Sequence, residues 1–245
     1  MSVDFSARLP DEISIERVRL MAEEAISIRR LAAMTEDPEM RPRFRPEHDQ
    51  ALELWDGGGY AWYWKASQAG IPRPYWTATL VGQQTPATRA VRAFWDDQPA
   101  DQGRALILLG PTGVGKTFAQ VAGLRHSARG EIVFIPFGRL VRELLNPEAQ
   151  GETLEAAIEA PVLCIDDLGG AYLKVDGLAE ALVEELFVER ELRRACTLAT
   201  SNLRADRLGE LLGDRVESRL AGPWASIVEV RGPDLRRARL QAVGQ

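Results

Sequence analysis

The octapeptide GPTGVGKT, Gly110 to Thr117, follows directly on the apolar run ALILL (105–109) and constrains the fold more than any other stretch of the chain. It satisfies G-x-x-x-x-G-K-[ST], a pattern that works only where a strand feeds a glycine-rich loop that opens a helix. Gly110, Gly113 and Gly115 let the backbone wrap an anion with its N–H groups pointing inward, and the helix N-terminus adds a favourable dipole. Pro111, Thr112 and Val114 complete the loop. Lys116 supplies a cation for the β- and γ-phosphates of ATP, and the Thr117 hydroxyl is placed to ligate Mg²⁺. A glycine-rich turn could match by chance, but strand, glycine spacing, lysine and threonine are all in place.

The surrounding pattern supplies the expected scaffold. ALILL, EIVFIPF (131–137), PVLCID (161–166), CTLATS (196–201) and SIVEV (226–230) are short β-rich apolar runs, separated by helical candidates at 116–128, 138–145, 175–193 and 206–213. Near-continuous hydrophobicity in strands spaced by helices indicates a parallel sheet covered on both faces, hence an α/β P-loop NTPase fold. PVLCIDDLG then offers the acids that the phosphate loop lacks. Asp166, ending a buried strand, can hold the metal through its water shell, and Asp167 can polarise the hydrolytic water. Two adjacent acids can also merely end a strand, but their place ~50 residues after the loop within the α/β pattern favours a Walker B motif.

Residues 1–75 read as a small helical N-terminal domain and linker, ahead of an ATPase domain at 76–245. Ile15, Val18, Met21, Ala22, Ala25, Ile28 and Leu31 form an amphipathic stripe within 11–34. The proline- and arginine-containing TEDPEMRPRFRPEHD is a loop or hinge. Trp55, Tyr60, Trp62, Tyr63, Trp64, Tyr75 and Trp76 crowd around a triple glycine; they form either the core of a small domain or, in part, exposed anchors for a partner. PATRAVRAFWDDQ, from Pro86, reads as a helix with Val91, Phe94 and Trp95 inward. A net charge of -6 leaves any nucleic-acid contact to a local patch. Cys164 and Cys196 lie in apolar runs without metal-ligand spacing, and read as buried free thiols. No apolar run reaches the ~18–20 residues of a membrane span and no secretory leader is evident, so a reducing cytoplasm is expected.

Four pieces together resemble the AAA+ ATPases, specifically the branch of DnaC- and DnaI-type replicative helicase loaders and IstB-type transposition helpers. They are AGIPRPYWTATL (69–80), GPTGVGKT, VLCIDDLG, and LATSNL followed by GDRVESRL. The resemblance spans roughly residues 70–240 and implies further roles. Asn202 would be sensor 1, bonding the hydrolytic water or γ-phosphate, although an Asn at this place can also be a turn residue. Arg219 would be an arginine finger reaching the ATP site of a neighbouring subunit, with Arg215 one helical turn earlier as the weaker candidate; otherwise both would merely solvate a helix. Arg236 matches sensor 2, with Arg237 and Arg239 as alternatives. Arg190 resembles a recurring arginine ahead of sensor 1, but reads more simply as an exposed helix charge. The second Walker B acid is Asp167 where many AAA+ proteins carry Glu; DnaI-like loaders share this Asp, and slow hydrolysis suited to a switch is expected. The absence of cysteine from residues 1–100 argues against the zinc domain of some loaders.

The resemblance implies an ATP-dependent loader that grips a replicative helicase hexamer through its N-terminal region, self-associates through the ATP site and contacts single-stranded DNA. The alternative is an IstB-like transposition helper on double-stranded DNA. The acidic, aromatic-rich N-terminal region favours the loader. A non-catalytic scaffold is disfavoured by the presence of Lys116, Thr117, Asp166, Asp167, Asn202 and Arg219 together.

Overall fold

The computed structural model describes residues 20, 22–23, 60–82, 84–97, 103–127, 130–170 and 177–235. The chain divides into two compact units, Met1–Thr77 and Ala78–Gln245. Of the amphipathic stripe over 11–34, only residues 20, 22 and 23 are described, and these are helical. The proline-containing hinge after it lies outside the described residues.

In the first unit, helix α1 (Tyr60–Gln68) is followed by a 3-10 turn at Arg73–Tyr75. Trp62, Tyr63 and Trp76 are buried. A buried indole N–H needs an acceptor. That of Trp62 donates to the Trp76 carbonyl at 2.7 Å, and that of Trp76 donates to the Ile71 carbonyl at 2.9 Å. The Tyr63 ring stacks on Trp76 with centroids 6.2 Å apart. These three aromatics are therefore core residues, as the first of the two readings expects.

The second unit opens with α2 (Pro86–Asp96). Thr85 caps it by accepting from the Thr88 N–H at 3.2 Å, and Pro86 occupies the first turn, where no backbone donor is needed. Val91 and Phe94 are buried and Trp95 is half-buried, matching the expected inward face. There follow β1 (Ala105–Leu109), α3 (Lys116–Ser127), β2 (Ile132–Pro136), α4 (Phe137–Leu144), α5 (Gln150–Glu159) and β3 (Val162–Leu168). After these come α6 (Leu178–Leu192), β4 (Cys196–Ser201), α7 (Ala205–Leu212), α8 (Asp214–Leu220) and β5 (Ala225–Glu229).

The strands form one five-stranded sheet in the order β2-β3-β4-β1-β5, with every pairing parallel. Each residue of β1 is buried, because both faces of the sheet are covered. Ala105, Ile107 and Leu109 point into a core shared with α4 to α8. On the other face α2 packs against α3, and a Cβ added at Gly123 of α3 would lie 2.3 Å from Val91 and 2.7 Å from the Trp95 indole nitrogen. Glycine is what lets these helices approach. Among the described residues no helix is long and apolar enough to cross a membrane.

Two features depart from the sequence reading. Helix α5 was not anticipated, since Leu154, Ala156, Ala157 and Ile158 are its few apolar positions and Gly151 interrupts its first turn. Arg190 is not an exposed helix charge: it is fully buried. Its Nε donates to Thr197 Oγ1 at 2.8 Å, and Nη1 donates to the carbonyls of Ala157, Ile158 and Ala160 at 2.7, 3.0 and 3.0 Å. Nη2 donates to the Cys196 carbonyl at 2.5 Å. The guanidinium thus satisfies acceptors at the C-terminal end of α5, which a helix leaves without partners of its own, and ties them to the start of β4.

Candidate functional site

In a parallel sheet the loops leaving the C-terminal ends of the strands gather on one side, and ligands bind there. Strand β4 lies between β1 and β3. The loop after β1, the acids at the end of β3 and the residue after β4 are thereby brought together. The loop Gly110–Thr117 occupies the turn from β1 into α3, with Gly113 and Gly115 both at φ 88°. A Cβ on Gly113 would also lie 2.1 Å from Asp234 Oδ1, because the segment after β5 crosses the loop here and the Leu235 N–H donates to the Gly113 carbonyl at 2.9 Å. Only glycine meets both demands.

Lys116 is buried, and its ammonium folds back on its own loop, donating to the carbonyls of Gly110 at 2.7 Å and Pro111 at 2.9 Å. It also donates to Asn202 Oδ1 at 2.8 Å, while Asn202 Nδ2 donates to Asp167 Oδ1 at 2.7 Å. One amide therefore bridges the cation and the second acid, with its oxygen facing the positive group and its nitrogen the negative one. Thr117 Oγ1 donates to Asp166 Oδ1 at 2.8 Å. Lys116, Asn202 and Asp167 thus form one hydrogen-bonded chain with the Thr117–Asp166 pair beside it, five candidates spread over 87 positions of sequence.

The acids sit where the ladder breaks. Ile165 pairs with Ala199 and Leu168 with Ser201, so Asp166 and Asp167 together oppose Thr200 in a bulge. Asp167 adopts φ 57°, a conformation costing a non-glycine residue roughly 1–3 kcal/mol. The local fold holds it there. The Asp167 carbonyl accepts from the Gly170 N–H at 2.7 Å, and the Ser201 hydroxyl donates to the Leu168 carbonyl at 2.5 Å. Thr200 Oγ1 donates to Asp166 Oδ1 at 2.6 Å and accepts from the Asp167 N–H at 2.9 Å. The sequence reading passed over Thr200. Its signal was a hydroxyl residue near the C-terminal end of a buried strand, two positions before Asn202.

Asp166 and Thr117 present oxygen donors side by side, the chemistry a hard divalent cation prefers. Among the described residues no three His, Cys, Asp or Glu side chains come together as a metal cage. That suits Mg²⁺, which takes one or two protein oxygens and completes its shell with water and phosphate. Beneath the acids, Cys164 is fully buried and its thiol pKa is pushed well up, first by burial, then by Cys196 and the Asp166 charge. Both cysteines are free.

The arginines of α8 take part in other contacts. Arg215 Nη1 donates to Glu184 at 2.9 Å, and Arg219 pairs with Glu191, both acids lying on α6. Arg236, Arg237 and Arg239 lie outside the described residues.

An all-parallel sheet with β4 inserted between the phosphate-loop strand and the acidic strand, a lysine at the loop and an Asn bridging to the acids define an ATP-binding P-loop NTPase of the AAA+ type. The model of the IstB-like ATP binding protein family matches residues 86–221, more than half of the chain, and the chain belongs to that family. It is 33% identical over 122 residues to an insertion sequence IS21 putative ATP-binding protein of Pseudomonas aeruginosa, a match covering 47% of this chain and 44% of the relative. The chain thus spans less than half the length of that curated relative. Among solved structures it is similar to DnaI, with TM-score 0.56 and 25% identity over 67% of this chain and 94% of the other. The DnaC helicase loader matches with TM-score 0.56 and 23% identity, covering 65% of this chain and 100% of the other. Domain III of the Thermotoga maritima replication initiation protein DnaA shares the fold, with TM-score 0.54 and 18% identity over 68% and 75% of the two chains.

Proposed function

We propose that this protein is an ATP-hydrolysing switch that self-associates through its ATP site on DNA and delivers a partner, with a replicative helicase hexamer as that partner. The observation that carries the hydrolytic reading is the cluster itself: Lys116, Asn202 and Asp167 in one hydrogen-bonded chain, with Thr117 and Asp166 beside it. The Gly110–Thr117 backbone and the α3 N-terminus would cradle the phosphates, and Lys116 would turn from its loop carbonyls toward the β- and γ-oxygens. Asn202 would then be free to orient the attacking water, with Asp167 as the acceptor of its proton. Mg²⁺, when bound, would neutralise phosphate charge; Thr117 and Asp166 are the residues that would hold it.

Arg219 would act in trans, leaving Glu191 for the γ-phosphate of a neighbouring subunit and making ATP a link between protomers. Arg236 would read the same nucleotide from its own chain, with Arg237 or Arg239 as substitutes. Residues 1–75 would form the partner-binding domain and linker, and 76–245 the ATPase domain. DNA would be held by local basic groups and backbone amides along single strands, in keeping with the net charge of -6. A cytoplasmic setting accords with two free buried thiols.

The second reading, a transposition helper on double-stranded DNA, is favoured by the IS21 relative. The test is steady-state ATP turnover of the full chain with and without single-stranded DNA, then capture on the immobilised full chain. Undetectable hydrolysis with ATP still bound would remove the enzyme reading. Retention of a transposase and not a replicative helicase would remove the loader.

A further inference from the structure

We infer that Thr200 is a positioning residue for hydrolysis, a side chain that sets both Walker B acids through one hydroxyl. The inference rests on the reading of the cluster as an ATPase site and adds a residue to it. A threonine hydroxyl carries a single proton and two acceptor lone pairs. The Asp167 N–H, 2.9 Å away, occupies one lone pair, so the proton is directed to Asp166 Oδ1 at 2.6 Å. A donor aimed in this way fixes the orientation of the Asp166 carboxylate.

The same hydroxyl replaces a ladder bond. Asp166 and Asp167 lie in the bulge between the Ile165–Ala199 and Leu168–Ser201 pairs, and Asp167 is held at φ 57°. The Thr200 side chain reaches across the gap to the Asp167 N–H and so sets where that carboxylate leaves the strand. Thr200 itself is buried, and its position follows from the regular register of β4 against β1, where it pairs with Leu108. The rigid side of the sheet thus sets the irregular one. Thr117, by contrast, meets Asp166 from the phosphate loop and would exchange that contact for the metal.

Removal of the hydroxyl would leave Asp166 with a single hydroxyl donor, Thr117, and the bulge without its bridging bond. Residues that orient a metal ligand typically contribute about 10–100-fold in metal affinity or activity. The test uses the full chain, a fluorescent ATP analogue titrated with Mg²⁺, and steady-state turnover. Thr200→Val, which keeps the shape, is expected to raise the Mg²⁺ midpoint of analogue binding about 10-fold and lower kcat about 10–100-fold, with KM for ATP within about twofold. Thr200→Ser, which keeps the hydroxyl, is expected to restore both. A midpoint and kcat within about twofold of wild type in T200V, or a T200S as impaired as T200V, overturns the inference. Should T200V not fold, Thr200→Ala, which has no side-chain donor or acceptor, takes its place, and wild-type values for it overturn the inference equally. If the wild-type chain binds the analogue but hydrolyses nothing, the enzymatic reading fails while the Mg²⁺ midpoints still decide the role of Thr200.

Discussion

Replacing Arg190 with methionine is expected to destabilise the protein by about 4 kcal/mol, although Arg190 touches none of the candidate site residues. Methionine reaches about as far as the arginine Nε and fills the space of its stem, but donates nothing. The substitution orphans the carbonyls of Ala157, Ile158, Ala160 and Cys196. At about 1 kcal/mol per buried acceptor, the lower end of the usual cost, four carbonyls give roughly 4 kcal/mol. Against a domain stability of roughly 5–15 kcal/mol this is a large fraction. Arg190→Lys, with its three donors on one nitrogen, is expected to lose roughly half as much.

Urea denaturation followed by far-UV circular dichroism measures the loss. Its pH dependence carries a second check. Burial lowers the Arg190 pKa to about 10. Between pH 6 and about pH 9 the group is protonated in both folded and unfolded chains, so the difference between wild type and R190M should be flat. Above about pH 10 the folded chain would release the proton before the unfolded chain does, relieving the burial of charge, and wild type should gain on R190M. An R190M within 1 kcal/mol of wild type would refute the reasoning, since the five hydrogen bonds would then contribute no net stability.

Other perturbations address the site. Asn202→Ala breaks the bridge between Lys116 and Asp167 and is expected to lower kcat about 10²–10³-fold with ATP affinity changed far less, as measured by turnover and analogue binding. Arg219→Ala should lower turnover by about 10³-fold or more while ATP still binds. Lys116→Ala should lose nucleotide binding, and, if Arg219 acts in trans as proposed, an equimolar mixture of R219A with K116A should recover turnover that neither variant has alone, because each would supply what the other lacks. Cys164, its pKa raised by burial, is expected to resist a thiol-specific chromogenic reagent at pH 8 in the folded chain and to react once denaturant exposes it.

The sheet and the phosphate loop were legible because their signals are local. Alternating apolar runs and helices require a covered parallel sheet, and GPTGVGKT states its own context. The ends of the five strands fall within about one residue of the ends of the apolar runs, apart from the end of β3, where the bulge carries the strand on to Leu168, which a continuous apolar pattern does not mark. Arg190 was misread because burial of a charge depends on acceptors supplied 30 to 33 positions earlier, at the end of a helix whose sparse apolar stripe hid it. Thr200 was invisible for a similar reason: a strand threonine is ordinary until the opposing strand is seen to bulge.

Arg190, from α6, and Thr200, within β4, act at opposite ends of that strand, and this relates the stability of the fold to the chemistry of the site. Strand β4 runs from Cys196 to Ser201, ~3.3 Å per residue, and pairs on one side with β1 without interruption. At its start, Arg190 and the end of α5 hold it; at its finish, Thr200 sets the acids and Asn202 bridges to Lys116. The side that must yield to nucleotide is the phosphate loop, whose contacts to Asn202 and Asp166 are single hydrogen bonds from Lys116 and Thr117. A strand anchored at its far end can then keep Asn202 and Thr200 in place while those bonds exchange. It follows that R190K, if it folds with a loosened β4, should lower kcat more than it raises KM for ATP. An effect confined to stability, with kcat unchanged in the folded fraction, would show that the regular β1–β4 ladder alone is enough to hold the strand.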